Sequence, residues 1–154
     1  ALFVTHDLDE ALAIGIGAAS VREIDELNIG RATTLAMRRA LEALPVRPGH
    51  VVVDGRPVAG LGWDHHAVVG GDGLVHSIGC ASIVAKVTRD RLMDEISQAM
   101  GVDMGSGYPS DPKTISFLEK WINDKGNPPP CARASWETTR RLLAHSRLSR
   151  ITDW

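Results

Sequence analysis

The sequence predicts an α/β fold in which a sheet is followed by a lobe of helices. Strand-like segments alternate with helical segments up to about residue 100, and helical patterns dominate after that point. Among the strands, "VVVDG" (51–55) is β-branched and apolar, which is typical of strands covered by helices on both faces. We therefore predict an α/β core over 1–100 and a helical lobe over 101–154, both within one compact unit.

The first half of the chain contains the predicted strands and two short helices. Strands are expected over 11–20, 50–55 and 67–72, and helices over 20–29 and 32–44. Ser20 is followed three residues later by Glu23, a capping-box pattern that predicts a helix start. In the next helix, Met37, Ala40 and Leu44 recur at helical spacing and mark the buried face. The strand over 11–20 is apolar with two glycines and is expected to be buried.

Helices account for most of the second half. A long helix is expected over 77–98, and its small apolar first half predicts burial nearly all round, including the Cys80 thiol. A loop rich in Gly, Ser and Pro over 101–112 leads to an amphipathic helix over 113–126. The last helix is expected over 135–148, with its first serine as the N-cap.

Composition and charge limit the possible functions. A net charge of −2 argues against indiscriminate binding to nucleic acid. Residues 131–150 carry five arginines against one acid, which marks either a face for a polyanion or a solvated basic helix. No apolar run approaches the roughly 18 residues of a membrane span, and no secretory signal is visible, so we expect no membrane association. Two cysteines without a CxxC pair favour a reduced, cytoplasmic setting.

Two carboxylates follow the second and third predicted strands. Asp54 and Asp72 are each expected at a strand end, where ligands bind in open α/β sheets. Neighbouring carboxylates repel unless a cation bridges them, and Mg²⁺ binds through one or two carboxylates plus phosphate oxygens. Such a site can activate water and stabilise the leaving oxygen of a phosphodiester. The alternative is that Asp54-Gly55 and "GGDG" (70–73) are ordinary turns.

Three polar residues share one face of the long helix. Lys86, Arg89 and Asp90 recur at i, i+3 and i+4. Lys86 and Asp90 either form a simple ion pair, or the face helps to position phosphates or to order the carboxylates.

Several motifs, in order, resemble the type 2 ribonuclease H family, ribonuclease HII. They are "VREIDELNIGRATTLAMRRAL", "VVVDG", "GGD" and "SIGCASIVAKVTRDRLM", followed by "GSGYPSDPKT", "FLEKW" and the arginine–serine–tryptophan–threonine pattern over 133–138. The resemblance covers about residues 11 to 141. It implies a ribonuclease H-like mixed sheet flanked by helices, with a C-terminal helical lobe that binds substrate. It also implies endonucleolytic cleavage of RNA in RNA–DNA hybrids, including single ribonucleotides embedded in duplex DNA, which leaves a 3′-hydroxyl and a 5′-phosphate.

The resemblance also implies roles for particular residues. The family's third and fourth acidic ligands correspond to Asp54 and Asp72, and its cofactor is Mg²⁺ or Mn²⁺. The tyrosine that packs on the sugar at the RNA–DNA junction corresponds to Tyr108. A contact to the sugar is what a ribose-reading enzyme needs, because the 2′-hydroxyl separates RNA from DNA. The alternative for Tyr108 is a half-buried aromatic residue of a loop. The family further implies a cytoplasmic protein of DNA replication and repair, which we expect to be a monomer.

The chain departs from the family at the first two acids. The family begins with a strand that carries an Asp-Glu pair followed by Gly-Arg-Gly, and neither Asp9-Glu10 nor Asp25-Glu26 has that context. The lysine that usually precedes the fourth acid is replaced by Gly71. We therefore expect the first strand or strands to be missing and, because two carboxylates hold a hard cation less well than four, this chain alone to be weakly active or inactive.

Other candidate contacts lie in the second half of the chain. We predict that Lys86, Arg89, Lys113, Arg133 and Ser135 belong to the substrate-binding set. Lys113 and Arg133 are the candidates for phosphate contacts, which set register without reading sequence. Their alternative is ordinary surface charge. Trp136, beside Ser135, is the tryptophan expected nearest to nucleic acid.

Two further patterns have weaker functional interpretations. His65-His66 are adjacent on a loop without other residues at zinc spacing, so a metal role is not expected. The opening "LFVTHDLDEAL" resembles the switch-histidine segment of ABC-transporter ATPases, but no phosphate-binding loop accompanies it. A non-catalytic nucleic-acid-binding relative, or a remnant of the same fold, is the alternative to the nuclease.

Overall fold

The computed structural model describes residues 2–5 and 13–152, with side chains from 13 to 148. Its strands are β1 (Leu2–Thr5), β2 (Ala13–Ile16), β3 (Val52–Asp54) and β4 (His66–Val68). Its helices are α1 (Val21–Leu27), α2 (Ile29–Glu42), α3 (Gly71–Leu74), α4 (His76–Met100), α5 (Pro112–Lys125) and α6 (Glu137–Thr152). These elements confirm the α/β class. Leu2–Thr5 of the ATPase-like stretch form β1, and residues 6–12 of that stretch, which include His6, lie outside the described residues.

The strands form two pairs, and the chain divides into two compact units. β1 and β2 are antiparallel, whereas β3 and β4 are parallel, with Asp54 opposite Val68. Unit 1 comprises Ala1–Thr88 and unit 2 comprises Arg89–Trp154. All four strands belong to unit 1, and among the described residues unit 2 contains helices and loops only. No helix within 2–5 and 13–152 has the length and apolar character needed to cross a membrane.

The strand β2 is buried on one face only, which corrects the prediction of full burial. Gly15 and Gly17 are buried, whereas Ile14 and Ile16 are each about half exposed. A Cβ at Gly15 would overlap the carbonyl oxygen of Ala40 in α2. The two glycines therefore allow the helix backbone to lie directly on the strand, and the strand's larger apolar side chains take the other face.

A bidentate ion pair joins α1 to α2. The capping box predicted at Ser20 is present: Ser20 Oγ accepts from the Glu23 amide, and the Glu23 carboxylate accepts from the Ser20 amide. Arg39 donates to both Glu23 oxygens, at 2.6 and 3.0 Å, and to the Ala18 carbonyl oxygen at 2.8 Å. These hydrogen bonds, with that from Arg39 the strongest, lower the pKa of Glu23 to about 2. The Arg39 guanidinium thus ties both helices to the segment that follows β2.

The strand β3 passes through the core of unit 1. Val53 is fully buried and Val51 is nearly so, and they pack with Leu41, Leu44 and Leu61. Burial of one such valine is worth about 1.5–3 kcal/mol. The strand then ends at Asp54, which is exposed. The apolar prediction for "VVVDG" is therefore confirmed, and the charge lies outside the core.

Two predictions for the region after β4 are wrong. Asp72 does not end a strand: β4 stops at Val68, and Asp72 lies in the first turn of the short helix α3. The first half of α4 is not buried all round, since Ile83 is 65% exposed and Cys80 is only half-buried. The small residues instead permit close contact on one face, where a Cβ at Gly79 would lie 2.8 Å from the Asp72 carbonyl oxygen.

The two last helices begin and end at identifiable residues. Asp111 is the N-cap of α5 with Pro112 at the first helical position, and Gly126 ends that helix at φ 74°, as predicted. The last helix begins at Glu137, and the Trp136 carbonyl accepts the first bond from Arg140. Trp136 therefore takes the position predicted for the Ser135 cap.

We expect Gly15→Ala to destabilise unit 1 by about 1–3 kcal/mol or more, because the added methyl group overlaps backbone that a rotamer change cannot move. Gly49→Ala is the matched control, since nothing lies within 4 Å of the added Cβ. Urea unfolding followed by circular dichroism measures both. Equal midpoints for the two variants would contradict the close packing of β2 on α2.

We expect acid to weaken the Glu23–Arg39 pair in a defined pH range. The folded pKa of Glu23 is about 2 against an ordinary value of 4.5, so its stabilisation is complete above 4.5 and is lost as pH falls towards 2. Glu23→Gln should be less stable than the parent at pH 7, and the difference should shrink between pH 4.5 and 2. Glu26→Gln, which removes an exposed pair with Arg22, should retain the parent's pH dependence. Thermal unfolding across this range tests it, and a constant difference between Glu23→Gln and the parent would contradict the assignment.

Candidate active site

A fixed carboxylate stands at the carboxyl end of the parallel strand pair. Asp54 Oδ1 accepts a hydrogen bond from the Gly71 amide at 2.7 Å. The Gly55 amide donates to the Val68 carbonyl oxygen, so the pairing of β3 with β4 continues to this edge. Asp72 directly follows Gly71 and is also exposed. The structure therefore brings the Asp54 carboxylate against the backbone that carries Asp72.

Glycine at position 71 makes this approach possible. Gly71 is buried, and a Cβ there would lie 2.7 Å from Ile78 Cδ1 and 3.4 Å from Asp54 Oδ1. The preceding Gly70 has a φ of 68°, in the left-handed region that favours glycine. The "GGD" segment thus turns tightly enough to aim an amide at Asp54. Inspection of the carboxylates alone does not reveal this hydrogen bond.

The donor set at this edge suits a hard divalent cation that also binds phosphate. Asp54 is oriented through one oxygen, and Asp72 Oδ1 accepts from the Gly73 amide at 3.0 Å. Two carboxylates completed by phosphate oxygens and water are a common Mg²⁺ environment. Within the described part of the chain, no group of three or more His, Cys, Asp or Glu side chains converges on one point. Asp54 and Asp72 are the two carboxylates that this edge offers to such a cation.

Tyr108 is exposed and lies against an arginine in unit 2. The Arg89 guanidinium carbon is 4.2 Å from the centre of the Tyr108 ring, and Arg89 also donates to Asp90 at 3.2 Å. Tyr108 itself is 47% exposed. Gly107 has a φ of 74°, and a Cβ there would lie 3.1 Å from Arg89 Nη2. The loop thus packs on α4 so that the tyrosine ring lies against a cation and remains accessible.

The loop that carries Tyr108 is held by two side chains that the sequence analysis did not single out. Thr114 is buried; its hydroxyl accepts from the Gly107 amide and donates to the Met104 carbonyl oxygen, both at 2.9 Å. Asp111 accepts from the Ser106 amide at 2.6 Å, and this and further hydrogen bonds lower its pKa. The Asp-Pro start of α5 is a helix-start signal that could have identified Asp111.

The predicted phosphate contacts have different surroundings. Lys113 Nζ lies 2.7 Å from Asp103 Oδ2, and this ion pair raises the pKa of Lys113 and lowers that of Asp103. Arg133 stacks on Trp136, with 4.8 Å from its guanidinium carbon to the ring centre. Lys86 and Ser135 are both exposed. Lys113 is thus engaged by an acid, whereas Arg133 presents a cation beside an aromatic ring.

The two adjacent histidines are structural or exposed. The Val58 amide donates to His65 Nε2 at 2.9 Å, so Nδ1 carries the proton and donates to the Trp63 carbonyl oxygen at 2.8 Å. His66 is exposed in β4. The contacts of His65 tie the loop over 56–65 together.

Comparison with known proteins identifies relatives over most of the chain. The family model for ribonuclease HII matches residues 5–139. The ribonuclease HII of Moorella thermoacetica is 52% identical over 104 residues, which is 66% of this chain and 50% of that protein. The ribonuclease HII of Shewanella halifaxensis is 46% identical over 104 residues, covering 66% of this chain and 51% of that protein. The chain therefore spans about half the length of these relatives.

Solved structures agree with the sequence comparison. The ribonuclease H2 of Pyrococcus horikoshii OT3 superposes with a TM-score of 0.72 at 34% identity, covering 83% of this chain and 67% of that one. A chain in the PCNA:RNase HII complex from Archaeoglobus fulgidus gives a TM-score of 0.63 at 28% identity, covering 77% and 64%. Sequence and fold give the same assignment: this chain belongs to the ribonuclease HII family.

Proposed function

We propose that this chain acts as a metal-assisted endonuclease on the RNA strand of RNA–DNA hybrids, including single ribonucleotides in duplex DNA. The observation that carries the proposal is the Asp54 carboxylate, fixed by the Gly71 amide at the edge that also carries Asp72. Membership of the ribonuclease HII family supports the reaction class. As for the family, we place its work in the cytoplasm, in DNA replication and repair, and we propose that the chain acts as a monomer.

Asp54 and Asp72 are the proposed catalytic residues and the ligands for Mg²⁺ or Mn²⁺. Such an ion, when bound, polarises the phosphate and lowers the pKa of a water molecule at the cleavage site. The hydrogen bond from Gly71 holds the Asp54 carboxylate in one orientation. The exposure of both carboxylates lets a phosphate approach them directly. Water loses a proton to solvent and attacks the phosphorus. The bond from phosphorus to the 3′-oxygen breaks and that oxygen takes a proton from solvent, which yields a 3′-hydroxyl and a 5′-phosphate.

The proposed substrate contacts lie on α4 and in unit 2, and we expect them to bind the sugar and the phosphate backbone. Tyr108 offers an accessible ring to the ribose, and the Arg89 guanidinium packs against that ring. Arg133 and Ser135 are proposed as phosphate contacts, and Lys86 is proposed for the same role on α4. Lys113 would first have to exchange Asp103 for a phosphate, so its contribution is expected to be the smallest of these.

A non-catalytic nucleic-acid binder is the second candidate. The observation that favours it is the basic face of α6, where Arg140, Arg141 and Arg147 are all exposed. The sequence also contains no Asp-Glu pair followed by Gly-Arg-Gly. Binding without cleavage requires only the positively charged side chains of the protein, whereas cleavage also requires the edge that carries Asp54.

A cleavage and binding assay with Asp54→Asn separates the two candidates. On a duplex with one ribonucleotide and Mn²⁺, we expect the parent to cleave more slowly than an intact relative, because two carboxylates hold the cation less well than four. The metal contributes several kcal/mol, so Asp54→Asn should lower the rate by about a hundredfold or more and leave duplex binding intact. Electron paramagnetic resonance of free Mn²⁺ should show weaker ion binding by Asp54→Asn.

Asp94→Asn is the matched control, because Asp94 is an exposed aspartate on α4 that is not among the proposed ligands. It should leave the cleavage rate and Mn²⁺ binding unchanged. A parent that binds the duplex but neither cleaves it nor binds Mn²⁺, with Asp54→Asn binding equally well or more tightly, would support the binder and overturn the nuclease. Turnover at the rate of an intact relative would contradict only the predicted impairment.

We expect Tyr108→Ala to weaken recognition of the ribonucleotide. Aromatic contacts with nucleic acid are worth about 1–3 kcal/mol, so the preference for a ribonucleotide-containing duplex over an all-DNA duplex should fall roughly tenfold or more. Tyr108→Phe keeps the ring over Arg89 and should retain most of that preference. Fluorescence anisotropy with both duplexes measures it. An unchanged preference in Tyr108→Ala would remove Tyr108 from the proposed site.

A further inference from the structure

Three sulfur atoms from separate segments of unit 2 converge at one point. Cys131 Sγ lies 3.9 Å from Met100 Sδ and 3.7 Å from Met104 Sδ. Met100 is the last residue of α4, Met104 lies in the loop after it, and Cys131 follows the proline run over 128–130. Both thioethers turn their sulfur, and not only their methylene carbons, towards the thiol. We call these three residues the sulfur cluster.

The sulfur cluster has one proton to share between two acceptors. A thioether can only accept a hydrogen bond, and the Cys131 thiol is a weak donor with a single hydrogen. A cation in place of that proton would satisfy the thiolate and both thioethers together. Thiolate and thioether ligands select soft ions, Cu(I) foremost, and disfavour Mg²⁺ and Ca²⁺. The chemistry of the donors therefore indicates a soft monovalent cation.

The spacing of the sulfurs also fits. With metal–sulfur bonds of about 2.3 Å, the length that thiolates make to zinc, three sulfurs evenly placed around one ion lie about 4.0 Å apart. The separations from Cys131 to the two methionines are 3.9 and 3.7 Å. Each separation from Cys131 to a methionine therefore matches the spacing expected of two sulfur ligands on one ion.

The backbone that carries the sulfur cluster is fixed. The Met104 amide donates to Ser97 Oγ at 3.3 Å, and its carbonyl oxygen accepts from Thr114 Oγ1 at 2.9 Å. On the other side, the Ala132 amide donates to the carbonyl oxygen of the buried Pro129, which closes the turn around Cys131. Met104 is buried, whereas Met100 and Cys131 are half-buried and leave a path from solvent. Such preorganisation lowers the entropic cost of binding an ion.

We propose that Met100, Met104 and Cys131 form a binding site for Cu(I). The ion replaces the thiol proton, which passes to solvent, and no electron is transferred. The proposal is independent of the nuclease function, since none of its ligands is among the proposed catalytic or substrate-binding residues. All three ligands belong to unit 2.

The test uses the whole chain with Cys80→Ser, which leaves Cys131 as its single thiol. Anaerobic titration with Cu(I) against a chromophoric chelator should show one tightly bound ion per chain. X-ray absorption at the copper edge should show three sulfur neighbours at about 2.3 Å, as in metal–thiolate bonds. Adding Cys131→Ser should abolish this binding.

Methionine variants distinguish the sulfur cluster from a thiol acting alone. Met→Leu substitutions conserve volume and are tolerated in cores, so Met100→Leu and Met104→Leu should fold, as thermal unfolding will verify. Groups that only orient a ligand are worth about 10- to 100-fold in metal affinity, so loss of either ligand should weaken binding at least tenfold. Met93→Leu, on α4 in the same unit, is the matched control and should bind as the parent does.

Three results would overturn the proposal. One is the absence of stoichiometric Cu(I) binding in the Cys80→Ser chain. Another is binding that survives Cys131→Ser. The third is evidence that the methionines do not bind the ion, which is either unchanged affinity in both Met100→Leu and Met104→Leu or an absorption spectrum with fewer than three sulfur neighbours. Either finding would leave a simple thiol–copper contact.

Discussion

The hydrogen bond between the Asp54 carboxylate and the Gly71 amide is the interaction on which the candidate active site depends. A strand with Val53 fully buried cannot end on an ionised carboxylate inside the core, since an unpaired buried charge is costly. The chain resolves this by exposing Asp54 and by giving it one charge-assisted hydrogen bond at 2.7 Å. That bond fixes the direction of the carboxylate while leaving it open to a ligand. It also brings the carboxylate against the backbone that leads into Asp72, because Asp72 is the next residue after Gly71.

In unit 1, glycines repeatedly allow one segment of the chain to lie directly against another. Gly15 and Gly17 let β2 lie on α2, Gly71 lets the turn after β4 approach Asp54, and Gly79 lets α4 lie against the Asp72 carbonyl. At each position a Cβ would meet backbone atoms or a buried side chain. Glycine has an entropic cost in regular structure, and here that cost is offset by contacts that no larger residue permits.

In unit 2, hydrogen bonds from side chains hold the loop that precedes α5. The buried Thr114 hydroxyl joins the Gly107 amide to the Met104 carbonyl, and Asp111 caps α5 while accepting from Ser106. A loop rich in glycine and serine is thereby given a single conformation. This order supports two separate proposals: Tyr108 presented over Arg89, and Met104 held beside Cys131.

What the sequence determined by itself was local. The α/β class, the capping box at Ser20, the glycine end of α5 and the apolar strand before Asp54 all follow from short-range rules, and the structure confirms them. The family motifs, which extend along most of the chain, also led to the assignment that the comparisons support. The roles of Asp54, Asp72 and Tyr108 stay predictions, because they concern a substrate and an ion.

Only the tertiary structure decided which faces are buried and which distant groups meet. The isoleucines of β2 face outward because its glycines are needed against α2, and Asp72 belongs to a helical turn because "GGDG" bends towards Asp54. The stacking of Arg89 on Tyr108 and the convergence of Met100, Met104 and Cys131 join residues up to 31 positions apart. Periodicity and propensity report a residue's neighbours along the chain, whereas these contacts depend on how helices and loops pack in space.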